Sequence, residues 1–182
     1  MALSAFRMLM MFDFDQTIIN CNVDVFIRKL LPDGRVPAET KTQYKEHNDW
    51  TRYMADIFDI LHGQGVRRAG ILQSLDEVQF APGMEELFRY QQTAPSIDTI
   101  ITSDANTLFI GYVMERAGLG GSYSKIYSNP AQFDADERIT ISHHHQHDCT
   151  SCPPNLCKGT VLKEYLQQRY RDEGLVYDAV AV

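Results

Sequence analysis

Five apolar residues in succession, Met8–Leu9–Met10–Met11–Phe12, predict a strand buried on both faces, as in a parallel sheet. Polar residues break in at Asp13 and Asp15, where such a strand should run out into a loop. Helical spacing follows. Val23, Phe26, Ile27 and Leu30 share one face, and Pro32–Asp33–Gly34 ends that helix. A second helix is expected from Pro37, with Trp50, Tyr53, Met54, Ile57, Phe58 and Leu61 on its apolar face and an end at Gly63 or Gly65. A shorter helical stretch runs through Leu72 and Leu75, and nothing between residues 21 and 79 alternates as a strand does.

Pro82–Gly83 opens the next helix, which carries Met84, Leu87 and Phe88. Ile97–Ile101 reads as a strand running into Thr102–Ser103–Asp104–Ala105–Asn106, and a helix on Phe109, Ile110, Val113 and Met114 stops at Gly118. A short strand at Lys125–Ser128 precedes an irregular stretch. Lys158 then opens a helix on Val161, Leu162, Tyr165 and Leu166, and Leu175–Val182 is again strand-like. Strands alternating with helices predict an α/β fold with a Rossmann-like parallel sheet and right-handed crossovers. The expected division is an α/β core formed by residues 1–20 and 80–182, with residues 21–79 inserted as a helical cap. A cap at that place shuts water out of a reacting site. The plainer alternative makes the same helices part of the main core.

Composition narrows the partners. At 182 residues and 44% hydrophobic, the chain can bury one full core. A net charge of −7 argues against nucleic acid or an anionic membrane as the main partner. It also requires a local source of positive charge if the substrate is an anion. No apolar run reaches membrane-spanning length, and the N-terminal run is broken by Arg7 with no small-residue cleavage site behind it. A soluble, cytoplasmic protein is the expectation.

The acid pair is the leading candidate for chemistry. Alternation along an extended chain points Asp13 and Asp15 to one side and Phe14 to the other. Ligands of open α/β sheets bind at the carboxyl ends of the strands, where these acids fall. Two carboxylates at one site hold their pKa values apart, so that one can attack while the other carries a proton. The plain reading is a strand followed by an acidic turn. A second cluster combines His145, His147, Cys149, Cys152 and Cys157, with His143 and His144 beside it. C-x-x-C with neighbouring histidines is a spacing that tetrahedral zinc uses, and such a site would hold His145 or His147 with Cys149, Cys152 and Cys157, while Cys21 stands apart. Reduced thiols in a loop held by packing and Pro153–Pro154 are the alternative.

Taken in order, these residues resemble a known family. Asp13-Phe14-Asp15-Gln16-Thr17, Ser103 and Lys158 look like the first three motifs of the haloacid-dehalogenase phosphatases. More specifically, F-D-F-D-x-T-I-I, P-G-M at 82–84, I-T-S-D-A-N at 101–106, S-N-P at 128–130 and H-x-H-x-C-x-x-C-P-x-N-x-C-K at 145–158 resemble the phosphoethanolamine/phosphocholine phosphatases, a family that includes pyridoxal phosphate phosphatases. The resemblance implies a core with a helical cap and Mg²⁺-dependent hydrolysis of a small phosphorylated metabolite. It implies Asp13 as nucleophile and metal ligand, and Asp15 as acid/base and, through its backbone carbonyl, metal ligand. Ser103 and Lys158 are implied as phosphate-binding residues, and Asp24 and Asp104 as substrate-binding acids suited to a cationic head group.

One departure from the pattern stands out. The family's fourth motif, a Gly-Asp-Gly-x-Asn-Asp loop, has no counterpart before Val182. On this reading the sequence is C-terminally truncated, as a fragment or an alternative product, or it has lost catalysis. The rival function is then an inactive protein that binds a ligand or partner. The final strand would also leave an open sheet edge, favouring dimers or aggregation.

Overall fold

The computed structural model describes residues 6–182, so the first five residues of the expected core segment 1–20 lie outside the described residues. The apolar run at the start forms β1 (Met8–Phe12) as expected. Its two faces are not equally covered. Leu9 and Met11 are fully buried with Ile100 and Tyr165, whereas Met8, Met10 and Phe12 are half-buried. Four strands make a parallel sheet in the order β3 (Lys125–Asn129), β2 (Ile97–Asn106), β1, β6 (Ala179–Ala181). Met8 pairs with Ile97 on one side of β1 and with Ala179 on the other. The doubly covered parallel sheet matches the predicted fold class.

Between β1 and β2 every regular element is a helix, apart from a single bridge. α1 (Val23–Ile27) continues as a single 3₁₀ turn to Leu30, followed by α2 (Ala38–His47), α3 (Trp50–Gly63), α4 (Arg68–Leu75) and α5 (Met84–Gln91). The single helix expected from Pro37 to Gly63 is two. Asn48 takes the left-handed conformation that closes α2, and the Asp49 side chain accepts the Arg52 N–H to start α3. Apolar spacing alone could not see this break, because α2 is almost wholly polar and offers no apolar face whose phase could be followed into α3.

Helices α1, α3 and α4 share one continuous apolar cluster with Phe14, Ile101 and α6 (Thr107–Arg116). The chain enters and leaves this helical stretch through two segments bonded to each other. Ile19 bridges Phe80 antiparallel, the Asn20 N–H donates to Gln79 O at 3.0 Å, and the Ala81 N–H donates to Ile18 O at 2.9 Å. Arg116 closes the exit by donating to the carbonyls of Leu75, Asp76 and Val78.

Three further expectations are corrected. The strand expected to end at Ile101 runs to Asn106, with a register irregularity against β3 between Thr102 and Asn106. The stretch expected to be irregular after Ser128 contains an antiparallel hairpin, β4 (Ala131–Phe133) with β5 (Ile139–Ile141). Strands of three residues are too short for alternation to register. Their turn is held by Asp134, whose carboxylate accepts the Asp136 and Arg138 N–H groups. Finally, only Ala179–Ala181 of the strand-like end pairs. α7 (Lys158–Glu173) stops at left-handed Gly174, and Asp178 ties the connection to the backbone of Arg7. Among the described residues, no helix is long and apolar enough to cross a membrane.

Candidate active site

β1 ends at Phe12, and the chain turns at once instead of continuing extended as the alternation argument assumed. The N–H groups of Ile18 and Ile19 return to Phe14 O, and Gln16 adopts a left-handed φ of 56° while its N–H donates to Cys21 O. Such a φ is uncommon for a residue with a β-carbon and is held here by the surrounding bonds. Phe14, Ile18 and Ile19 are fully buried and anchor the turn in the apolar cluster. Asp13 and Asp15 thereby reach the carboxyl end of the sheet by a tight turn rather than by strand pleat.

There Asp13 meets Lys158, the first residue of α7. The lysine Nζ lies 2.5 Å from Asp13 Oδ2, and Asp13 Oδ1 accepts the Phe14 N–H at 2.7 Å. Asp15 Oδ1 accepts the Val23 N–H at 3.0 Å, so the start of α1 holds it. Burial pushes the Asp15 carboxyl up to about 7 against that hydrogen bond, and the charges of Asp104 and Asp13 push the same way. Asp24 is fully buried on α1, where Trp50 Nε1 donates to its Oδ2 at 2.8 Å while Oδ1 finds no hydrogen-bond partner among the described residues. Its carboxyl also rises to about 7, by burial first and then by Asp15 and Asp104. Asp104, solvent-exposed near the end of β2, is raised by partial desolvation of its carboxyl and by Asp13. Four acids are thus close enough to feel one another, with Lys158 as the cation in contact.

Ser103 is fully buried near the end of β2, and its Oγ accepts the Ala105 N–H at 3.2 Å. Asp13, Thr17, Thr102 and Lys158 border a cavity of about 550 Å³ whose other walls are mainly apolar.

Several contributors carried no role in the sequence. Trp50, taken as core, is the hydrogen-bond donor to Asp24. Asn129 donates to the carbonyls of Asp104 and Ala105 at 2.7 and 2.8 Å and accepts from Asn155 at 3.2 Å, pinning the end of β2. Both asparagines lay within motifs quoted above, S-N-P and C-P-x-N-x-C, and those motifs were the only signal for them.

The His/Cys cluster is only partly assembled. The sulfurs of Cys149, Cys152 and Cys157 all lie within 4.8 Å of one another, and no histidine nitrogen joins that group among the described residues. His147 accepts the Cys149 N–H at Nδ1 (3.2 Å) and donates from Nε2 to Pro153 O (2.9 Å). His145 Nε2 accepts the Cys157 N–H at 3.1 Å. Of the expected candidates, the three thiols are thus brought together, while His145 and His147 bond to backbone groups of the same loop. His143 lies 3.0 Å from Asp49, and His144 donates to Ser128 O.

The parallel sheet, with an acid pair at the end of its first strand and a lysine opposite, has the haloacid-dehalogenase fold, and solved structures agree on it. A HAD family hydrolase from Salmonella enterica serovar Typhi superposes with a TM-score of 0.62 at 16% identity, over 98% of this chain and 57% of that one. A phosphoserine phosphatase with a phospho-aspartyl intermediate analogue gives 0.57 at 16% identity, over 97% and 77%. The sequence is more specific. The family model described as "Putative Phosphatase" matches residues 8–180. Pyridoxal phosphate phosphatase PHOSPHO2 of Bos taurus is 37% identical over 96% of this chain and 72% of its own length. The human phosphoethanolamine/phosphocholine phosphatase is 34% identical over 91% and 62%. The chain belongs to this phosphatase family.

Proposed function

We propose that the chain hydrolyses a small phosphomonoester with Asp13 as nucleophile and Mg²⁺ as cofactor. The observation that carries this reading is the 2.5 Å contact between Lys158 and Asp13, which puts a cation beside the first acid at the sheet's carboxyl end. The Asp13 carboxylate attacks phosphorus, forming an O–P bond as the ester P–O bond breaks. Asp15 gives its proton to the leaving oxygen, then takes one from the water that opens the aspartyl-phosphate. Its burial favours the protonated form that the first step requires. Lys158 and the Ser103 hydroxyl hold phosphoryl oxygens, meeting the need for local positive charge in an acidic protein.

The donor set fits a hard cation, because it is all carboxylate oxygen: desolvation raises the Asp15 and Asp104 carboxyls, and the negative charge of Asp13 beside them pushes both the same way. The Asp13 carboxylate and the Asp15 backbone carbonyl would hold Mg²⁺, which supplies charge neutralisation between the acids and the phosphate dianion. Asp24 and Asp104 read the head group. The unpartnered, buried Asp24 Oδ1 supports this, since an ammonium such as that of phosphoethanolamine would give it a partner. Phosphocholine and pyridoxal phosphate stay in the same substrate class. Residues 21–79 serve as the cap that excludes water.

The test is phosphate release from p-nitrophenyl phosphate and phosphocholine with and without Mg²⁺. Turnover should require the metal and fall by at least about 10⁴-fold in Asp13→Asn, with the circular dichroism unchanged. Turnover that survives Asp13→Asn sinks the covalent mechanism. A wild type that binds phosphocholine without turning it over favours the rival reading of an inactive binding protein.

A further inference from the structure

Residues 142–157 form a sixteen-residue connection with no helix or strand, and loops of that length inside a folded domain need something to hold them. Apolar burial supplies little, since Thr150, Ser151, Pro153 and Pro154 are exposed and Leu156 is the main buried hydrophobe. The N–H groups of His144 and His145 reach back to Asn155 O and fold the segment into a closed loop. Inside that closure, three cysteines at the spacing C-x₂-C-x₄-C bring their sulfurs within 4.8 Å of one another, all as free thiols. Three thiols on a common point are a ligand set rather than a packing solution. Zinc bonded to each sulfur at about 2.3 Å in a tetrahedron sets sulfurs roughly 3.8 Å apart, within the observed spread.

We propose that Cys149, Cys152 and Cys157 bind one structural Zn²⁺ as thiolates, with His145 completing the tetrahedron. Each thiol gives up its proton as the metal binds. Of the two nearby histidines, His147 has both ring nitrogens engaged with backbone. His145 uses only Nε2, and its Nδ1 makes no hydrogen bond among the described residues, so a rotation of this ring costs a single bond to the Cys157 N–H. Cys157 is the residue immediately before α7, so the metal would fix the corner from which that helix starts. Nothing in the phosphatase reading requires this site, and the site stands without that reading.

The experiment uses the whole chain, purified without chelator. Metal analysis should find about one zinc per chain. Zinc should slow iodoacetamide alkylation of Cys149, Cys152 and Cys157 by at least about tenfold, because a metal-bound thiolate is withdrawn from attack, and leave Cys21 unchanged. A cobalt-substituted sample should show the visible bands of tetrahedral thiolate coordination. Cys152→Ser should lose the zinc and Cys21→Ser should keep it. His145→Asn should weaken zinc binding and His147→Asn should not. The alkylation measurement on the wild type needs no variant to fold. Protein that carries no zinc, takes up none at micromolar concentration and alkylates at equal rates with and without it overturns the site. A larger loss in His147→Asn than in His145→Asn overturns the choice of fourth ligand.

Discussion

Two segments bring the halves of the Asp13–Lys158 pair together, and they are held in place by different physics. The turn over residues 13–19 is set by apolar anchors, with Phe14, Ile18 and Ile19 fully buried and backbone bonds closing on Phe14 O. The connection over residues 142–157 is set by polar contacts, His144 and His145 to backbone groups and Asn155 to the Asn129 side chain. The front segment should therefore behave as part of the folding core. The rear one should be removable in steps, each costing little by itself. A site built from one rigid wall and one adjustable wall can keep Asp13 fixed while the position of Lys158 is tuned separately.

The largest effect that would break this contrast is expected at Phe14. Phe14→Ala should lose about 3–5 kcal/mol of unfolding free energy in urea, the usual result of emptying a buried aromatic site. A loss below about 1 kcal/mol would mean that the front turn is not anchored by burial.

Asp24 comes next and sharpens the comparison by adding charge. Its carboxyl stands near 7 in the folded state against roughly 3.9 in an unfolded chain. Folded protein therefore binds more protons than unfolded protein between those values. The contribution to stability is full below about pH 4 and is lost as pH rises through about 7. Asp24→Asn keeps an acceptor for Trp50 and removes the loss. It should be more stable than wild type at pH 8 by on the order of 2–4 kcal/mol and nearly equal at pH 4. Melting curves across that range decide it, and a difference independent of pH would refute the account.

The smallest effect is expected in the rear segment. Asn155→Ala leaves the Asn129 carbonyl oxygen buried without its donor and should cost about 1–3 kcal/mol. Hydrogen exchange at the Ala105 and Asn106 amides should quicken with it. Equal stability losses in Phe14→Ala and Asn155→Ala would erase the distinction between the two walls.

What the sequence made legible divides along the same line. β1, the start of α5 at Pro82–Gly83, and Lys158 at the head of α7 followed from runs, stop signals and caps that act over a few residues. The acid pair was visible because both members lie within three positions. Contacts between distant residues left no such trace. Trp50 reads as one more apolar residue on a helix until α3 is seen to cross α1, 26 positions away, and put its N–H on Asp24. The two histidines have metal-ligand spacing, yet backbone groups of the same loop take up three of their ring nitrogens. The β4–β5 hairpin escaped because its strands are shorter than the period needed to recognise them.

The paired crossings at Ile19 and Phe80 carry a mechanical consequence. Two separate single-chain tethers would act as a ball joint, leaving the helices between them free to twist and slide over the sheet. Bonded side by side as a narrow ribbon, with Arg116 locking one margin, the crossings leave bending across the ribbon as the soft direction. Any bending about that line would have to open the apolar cluster that α1, α3 and α4 share with Phe14, Ile101 and α6, so the helices between the crossings are held along one margin by the ribbon and across their inner face by burial.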